Sequence, residues 1–376
     1  MGVDKVPPEI LTETLSFLGE DVESLVACTV VSRLWSEIAR PLRFRRVSID
    51  TERELQSAAA GEETARMTAM IAPWIRDLRV RTKGMEAAST TAHGIFEPLA
   101  KSGKIESFVL KREGDIDTGL AAQFTETTLY RILFLPTITQ LDVEGIPVSK
   151  NALACHPRLQ SLSLAENCSS IPNENYEDVF MAGTYTFDPR AETEGGGGVV
   201  VSLTASIVGR ERRFSHLVGM NGWALRKLTL VFDWSDEEVA ETLRVSMDAL
   251  PALEFVGLAF EDVRTFSMPF ELEDFFCVER PSSLREAHLL FRHVVEEPQE
   301  LQNVPTNGPR LDRMFDLRRH PKLTRSTVHM TIQHSFNPKQ LGDFDLREYL
   351  KNTFRRRGKH TKVKGQFVEL RVIDGE

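Results

Sequence analysis

Nine histidines and four cysteines are the side chains in this 376-residue sequence that could hold a metal, pass a proton or attack a carbonyl. Cys28, Cys155, Cys168 and Cys277 are widely and irregularly spaced, which gives no zinc pattern, no redox pair and no disulfide framework. Such cysteine usage fits a reducing compartment, the cytosol or the nucleus. His288 and His293 flank a predicted strand at a spacing that does not bring both onto one face. His320, His329 and His334 are scattered. The chain contains no H-E-x-x-H, no C-x-x-C and no G-x-S-x-G, and neither a dinucleotide nor a P-loop fingerprint. Four glycines end at Gly198, and a glycine run can cradle phosphate where a helix follows. Here Val199-Val200-Val201 predicts a strand, so the run reads as a linker. No catalytic, cofactor-binding or metal-ligating residue is assigned, no cofactor is expected, and the chain reads as one that works by contact and not as an enzyme.

Charge narrows the contacts. Acidic residues outnumber basic ones by 55 to 46, and the net charge of −9 argues against nucleic acid as the partner. One segment runs the other way. Arg355 to Lys364 is strongly basic, either a nuclear-localisation or anion-binding stretch or a solvated loop. The first ten residues lack the apolar core of a secretory signal, and Val6 breaks a myristoylation pattern. No apolar run approaches eighteen residues, so no membrane span is expected. A cytoplasmic or nuclear location is the expectation.

The elements that must do the contacting begin at Val6. Pro7 and Pro8 suit a first helical turn, Glu9 complements its positive end, and Ile10, Leu11, Leu15 and Leu18 fall on one stripe that Gly19 closes. Asp21 is a plausible cap for a second helix carrying Leu25, Cys28, Val31, Trp35, Ile38 and Leu42 on a narrow apolar face, with Pro41 stopping or kinking it. Two such helices bury too little to stand alone. Their faces dock on the rest of the chain or on a second protein.

Over roughly the first 45 residues the run V-P-P-E-I-L, L-S-F-L, S-L-V-A-C, V-V-S-R-L-W and A-R-P-L resembles the F-box of fungal F-box proteins. Pro7, Glu9, Ile10, Leu11, Leu15, Leu18, Leu25, Val31, Arg33, Trp35 and Leu42 sit at the positions of the family's motif residues. Val6 and Thr14 depart from it, Val6 standing where the family has Leu before the proline and Thr14 where it has an aliphatic residue. The resemblance implies a helical hairpin or three-helix unit that docks on the Skp-family adaptor of a cullin ubiquitin ligase through Pro7, Glu9, Ile10, Leu11, Leu15, Leu18, Leu25, Cys28, Val31, Trp35 and Leu42.

Beyond the F-box a phrase of the form apolar-x-x-apolar-x-apolar returns. It begins at Ile75, Ile105, Ile138, Leu159, Leu225, Leu253 and, more weakly, Leu284, and strands are also predicted at Val328–Ile332 and Phe367–Val372. A noisy period near thirty is the mark of stacked supersecondary units. The pattern resembles a degenerate leucine-rich repeat. The competing reading is a generic α/β domain with Leu-rich strands. The organisation expected is α/β throughout: F-box at 1–50, a bridging helix at 51–72, and a leucine-rich-repeat-like solenoid at 73–376 with a flexible insert near 169–198. Ser169 to Arg190 reads as a surface loop, Val199–Leu203 as a strand, and Asp236–Ala249 and Leu346–Phe354 as helices.

The residues alternating with each phrase would line the concave face. They are Asp77, Arg79, Arg81 and Lys111, then Gln140, Asp142, Glu144, Ser161 and Ser163, then Lys227, Thr229, Val231, Phe255, Ala259, Glu286 and His288. Of these Arg79, Arg81, Lys111, Asp142, Glu144, Thr229, Phe255 and His288 are the candidate target contacts, with Phe255 the natural anchor. The function expected is that of a substrate-recognition adaptor, holding a target protein near a ligase whose other subunits do the chemistry. The alternatives are a ligase-independent scaffold and, less favoured, an enzyme of unrecognised class.

Overall fold

The computed structural model describes residues 6–18, 21–54, 58–83, 90–113, 128–145, 156–165, 183–192, 198–207, 214, 218–219, 222–233, 242–243, 245–263, 268–295, 308–334 and 367–374. The chain is a mixed α/β protein whose strands are mostly parallel. It divides into two compact units, Met1–Asp178 with Pro189–Gly198 and Val179–Asp188 with Val199–Glu376.

The first unit opens with α1 (Pro8–Ser16), α2 (Val22–Thr29) and α3 (Arg33–Arg43). It continues through β1 (Arg46–Asp50), α4 (Thr51–Glu54), α5 (Ala58–Ile71), β2 (Asp77–Lys83), α6 (Thr90–Ser102), β3 (Ser107–Glu113), α7 (Thr128–Leu133), β4 (Gln140–Glu144) and β5 (Ser161–Ala165). Strands β1 to β5 pair in chain order, all parallel. Their register puts Val47, Leu78, Phe108, Leu141 and Leu162 in one row, and Ile49, Val80, Leu110, Val143 and Leu164 in the next of the same face. All but the half-buried Val47 are buried. Helices α5, α6 and α7 pack one against the next.

The second unit contains β7 (Gly198–Ile207), β8 (Lys227–Asp233), β9 (Phe255–Val263), α8 (Phe270–Phe276), β10 (Glu286–Val295), α9 (Gly308–Met314), β11 (Arg325–His334) and β12 (Phe367–Asp374). Strands β7 to β12 are again sequential and parallel. Rows Leu203–Leu228–Val256–Ala287–Ser326 and Ala205–Leu230–Leu258–Leu289–Val328 are buried throughout. Beside β7 lies β6 (Gly183–Glu192). The five residues between β6 and β7 are enough for a hairpin but far short of a parallel crossover.

One device builds each step. The Arg45 carbonyl accepts the amides of Arg76 and Asp77, that of Arg76 accepts Glu106 and Ser107, that of Glu106 accepts Thr139 and Gln140, and that of Thr139 accepts Gln160 and Ser161. The second unit repeats it: Arg226 accepts Glu254 and Phe255, Glu254 accepts Arg285 and Glu286, and Arg285 accepts Thr324 and Arg325. Just before each of these strands an apolar residue is buried, from Ile75, Ile105, Ile138 and Leu159 to Leu225, Leu253, Leu284 and Leu323. The helices carry a matching phrase at i, i+3 and i+4: Leu129–Ile132–Leu133, Leu272–Phe275–Phe276 and Leu311–Met314–Phe315 are all buried.

Several expectations are corrected. The second helix predicted from Asp21 to Leu42 is two helices: the chain breaks at Val30–Val31, and the Ser32 hydroxyl accepts the Trp35 amide to start α3. Pro41 does not stop α3, which runs on to Arg43. The loop read from Ser169 to Arg190 contains most of β6. A strand, β1, precedes the bridging helix at 51–72, which itself is α4 and α5 followed by a 3-10 turn at Ala72–Trp74. Of the helix expected at 236–249, the described residues Thr242 and Leu243 are helical, and its end is a 3-10 turn, Met247–Ala249. Gly19, Cys155, Cys168, the glycines before Gly198, the helix at 346–354 and the basic stretch 355–364 lie outside the described residues.

Two features of the scaffold have measurable consequences. Gly145, which follows β4, has φ +76°, and an added Cβ would lie 2.9 Å from the Arg112 carbonyl oxygen. Gly145→Ala should cost about 1–3 kcal/mol in urea unfolding, and a neutral substitution would contradict this geometry. In the second unit His320 is buried, its Nδ1 2.6 Å from Ser282 Oγ and its Nε2 donating to the Phe276 carbonyl oxygen at 3.1 Å. Burial lowers its pKa. The unfolded chain takes up the imidazole proton near pH 6.5 and the folded chain only below that, so the contribution is complete above pH 6.5 and is lost as pH falls toward the folded value. Urea midpoints should decline as pH falls below about 6.5, and His320→Gln should flatten that slope. An unchanged slope would contradict the assignment.

Candidate functional site

Two surfaces stand out, one helical and one on the sheet. Within α1 to α3 the core is Leu11, Leu15 and Ala39, joined by the half-buried Leu18, Cys28, Leu34, Trp35, Ile38 and Leu42. Asp21 caps α2, accepting the Ser24 amide at 3.0 Å and its hydroxyl at 2.6 Å, and those bonds lower its pKa. Leu11, Leu15 and Leu25 are at most 2% exposed. They hold the unit together and present nothing to a partner, which corrects their place among the adaptor contacts. Trp35, Leu18, Leu42 and Cys28 are half-covered. Pro7, Glu9, Ile10 and Val31 are exposed.

The outward apolar set is larger than the sequence stripe. Ile10, Thr14 and Phe17 share the outer face of α1, and Phe17 is 83% exposed. Val22, Val26 and Val30 repeat at every fourth position along α2, and Val30 is 82% exposed. Phe17, Val22, Val26 and Val30 were not legible as contacts, because one long helix places the face wrongly. The signal was present: two β-branched valines before a Ser-Arg pair mark a helix end and a new cap. Thr14, off-pattern in sequence, sits outside the core, its hydroxyl donating to the Ile10 carbonyl oxygen.

The second surface is the face of each unit's strands that alternates with the buried rows. In the first unit it carries the rows Arg46–Asp77–Ser107–Gln140–Ser161, Ser48–Arg79–Val109–Asp142–Ser163 and Asp50–Arg81–Lys111–Glu144–Ala165. Opposite charges meet across strands, Lys111 lying 3.1 Å from Glu144 and Arg46 3.3 Å from Asp77, while Arg79 of the same strand lies 3.8 Å from Asp77. In the second unit the rows are Lys227–Phe255–Glu286–Arg325, Thr229–Gly257–His288–Thr327 and Val231–Ala259–Leu290–His329. Gly257 leaves a gap in the middle row that Phe255 fills, its ring 5.2 Å from that of His288. His288 is also bonded to Thr327 and approached by Glu286. Phe255 and Val231 are half-buried, so the alternation places them on this face and not in the core. Asp142, Glu144, Thr229 and His288 are half-covered too, while Arg79, Arg81 and Lys111 are exposed.

No family model matches the chain, and no curated protein matches it. Among the described residues, no group of three His, Cys, Asp or Glu side chains could hold a metal ion, and no helix is long and apolar enough to cross a membrane. His288 and His293 face opposite sides of β10, the first half-exposed and the second buried. Cys277 is exposed, and Arg319 donates to its Sγ at 2.9 Å.

Proposed function

We propose that this chain is an F-box protein, a substrate-recognition adaptor whose α1–α3 unit docks on a Skp-family adaptor of a cullin ubiquitin ligase. The observation that carries the reading is where the apolar surface lies. Of twelve large apolar side chains exposed among the described residues, seven fall between Val6 and Val31. Concentration of exposed apolar side chains in one short segment marks a protein contact. The segment that resembles the F-box is also the segment left uncovered.

The same proposal makes the strand-bearing units leucine-rich-repeat-like and assigns their open faces to a target protein. Parallel sheets covered on both sides read as continuous apolar runs. These strands alternate instead, with one face buried and one carrying charge, hydroxyls and the Phe255–His288 pair, and the repeated carbonyl step supports stacked units. The chain would then supply proximity and orientation, with ubiquitin transfer left to other subunits.

Affinity capture of the full chain and of a form lacking residues 1–47 tests the reading. The full chain should bring down a Skp-family adaptor and a cullin, and the shortened form neither. Capture of the adaptor without any cullin would favour the ligase-independent scaffold, and capture of neither would overturn both.

A further inference from the structure

We infer that the first unit carries, where its open strand face meets α1–α3, a binding cleft for an acidic peptide with apolar side chains between its carboxylates, which deepens the proposed target-binding role of that face. The cleft has a volume of about 700 Å³ and lies where α1–α3 meet the starts of β1 to β4. Five arginines border it: Arg43, Arg45, Arg46, Arg76 and Arg79. Among the described residues that line it, the carboxylates are Asp77 and Glu106, so the lining carries a net positive charge in a chain of net charge −9.

The arginines differ in what holds them. Arg76 lies 3.6 Å from Glu106 and donates to the Pro73 and Ile75 carbonyl oxygens. Arg46 and Arg79 divide one carboxylate between them. Arg43 lies over the Phe44 ring at 4.8 Å. The Arg45 side chain makes no ion pair among the described residues, and its backbone carbonyl is used by the next strand. Guanidinium groups are planar forks suited to carboxylates, so Arg45 and the half-satisfied Arg79 are the anion contacts.

The rest of the cleft selects a peptide over a simple anion. Its other wall offers the exposed Val22 and the half-buried Leu42, set over the buried Leu15 and Leu25. Asp77 Oδ1 is buried, with the Arg79 guanidinium 3.8 Å from it. A peptide supplies carboxylates and apolar side chains together. A nucleic acid supplies phosphates but would meet Asp77, Glu106 and the leucines as repulsive or unmatched. The inference does not rest on adaptor docking.

The test is fluorescence anisotropy with the full chain and a short labelled peptide alternating glutamate and leucine. Binding should be saturable and should weaken with salt. Arg45→Glu should weaken it about tenfold and Arg45→Glu with Arg79→Glu further, each step of that size being about 1.4 kcal/mol. Arg318→Glu, in the second unit, should leave it unchanged. Arg45 is exposed and makes no ion pair among the described residues, so its single variant decides the matter even if the double variant melts early. Three results would overturn the inference: equal binding of the glutamine–leucine peptide, unchanged binding by Arg45→Glu, or tighter binding of a labelled single-stranded oligonucleotide. Failure here alongside normal adaptor capture would leave the proposed function standing.

Discussion

Replacing Ile10 and Phe17 by aspartate should abolish capture of a Skp-family adaptor while moving the melting temperature little. Both side chains lie on the outer face of α1, away from Leu11, Leu15 and Leu18. In the free chain a carboxylate there stays in water. In the complex each would be buried without a partner, and burying an unpaired charge costs several kcal/mol, on the order of a thousandfold in affinity or more. Leu15→Asp is the contrasting variant. Leu15 is 2% exposed, so it should lose adaptor binding only by unfolding the three-helix unit. Thr14→Leu, between the two outer positions, should strengthen capture by adding apolar area at the contact. If the Ile10 and Phe17 variant still brings down the adaptor, docking uses some other surface.

The largest stability effect belongs to the second unit. Phe232, Phe260 and Phe291 stand in adjacent positions of β8, β9 and β10, all buried, with ring centroids 5.1 Å apart and planes within about ten degrees of parallel. Phe260 is the middle ring. Phe260→Ala removes its burial and both ring contacts and should cost about 3–5 kcal/mol in urea unfolding. Phe255→Ala, on the opposite face of the same strand, should cost under about 1.5 kcal/mol, because the ring is half in solvent and loses chiefly its contact with His288. Equal costs would mean that the strand's faces are exchanged, since a one-residue slip trades them.

Much of this fold could be read from strand phrases. Period-two alternation at Ile75–Val80, Ile105–Leu110 and Leu225–Leu230 fixed which side chains are buried, and with that the whole open face, because side chains in a strand have only two directions to point. Where the phrase is disguised, the reading lapsed. Phe44-Arg45-Arg46-Val47-Ser48-Ile49 is the same phrase, leading into β1, but it sits inside the bounds 1–50 of the F-box-like segment, past its last predicted helix. Leu323-Thr324-Arg325-Ser326-Thr327-Val328 carries a buried serine where the others have an apolar residue. β6 reads as a loop, since its Pro189 and acidic neighbours look like turn chemistry, yet Tyr185 and Phe187 are buried in alternation. The candidate docking surface was legible only in outline. Sequence periodicity shows that a helix has an apolar side, but not which of two neighbouring stripes its own partners cover. In α1 the stripe Leu11–Leu15–Leu18 went inward and Ile10–Phe17 outward, a choice made by α3.

Titration calorimetry of the purified full chain with a purified Skp-family adaptor tests the central claim most directly. The account predicts one-to-one binding with a negative heat-capacity change from buried apolar surface, and no heat when Ile10 and Phe17 are aspartate. Absence of binding by the folded wild-type chain at micromolar concentrations, or binding that survives removal of residues 1–47, would contradict it.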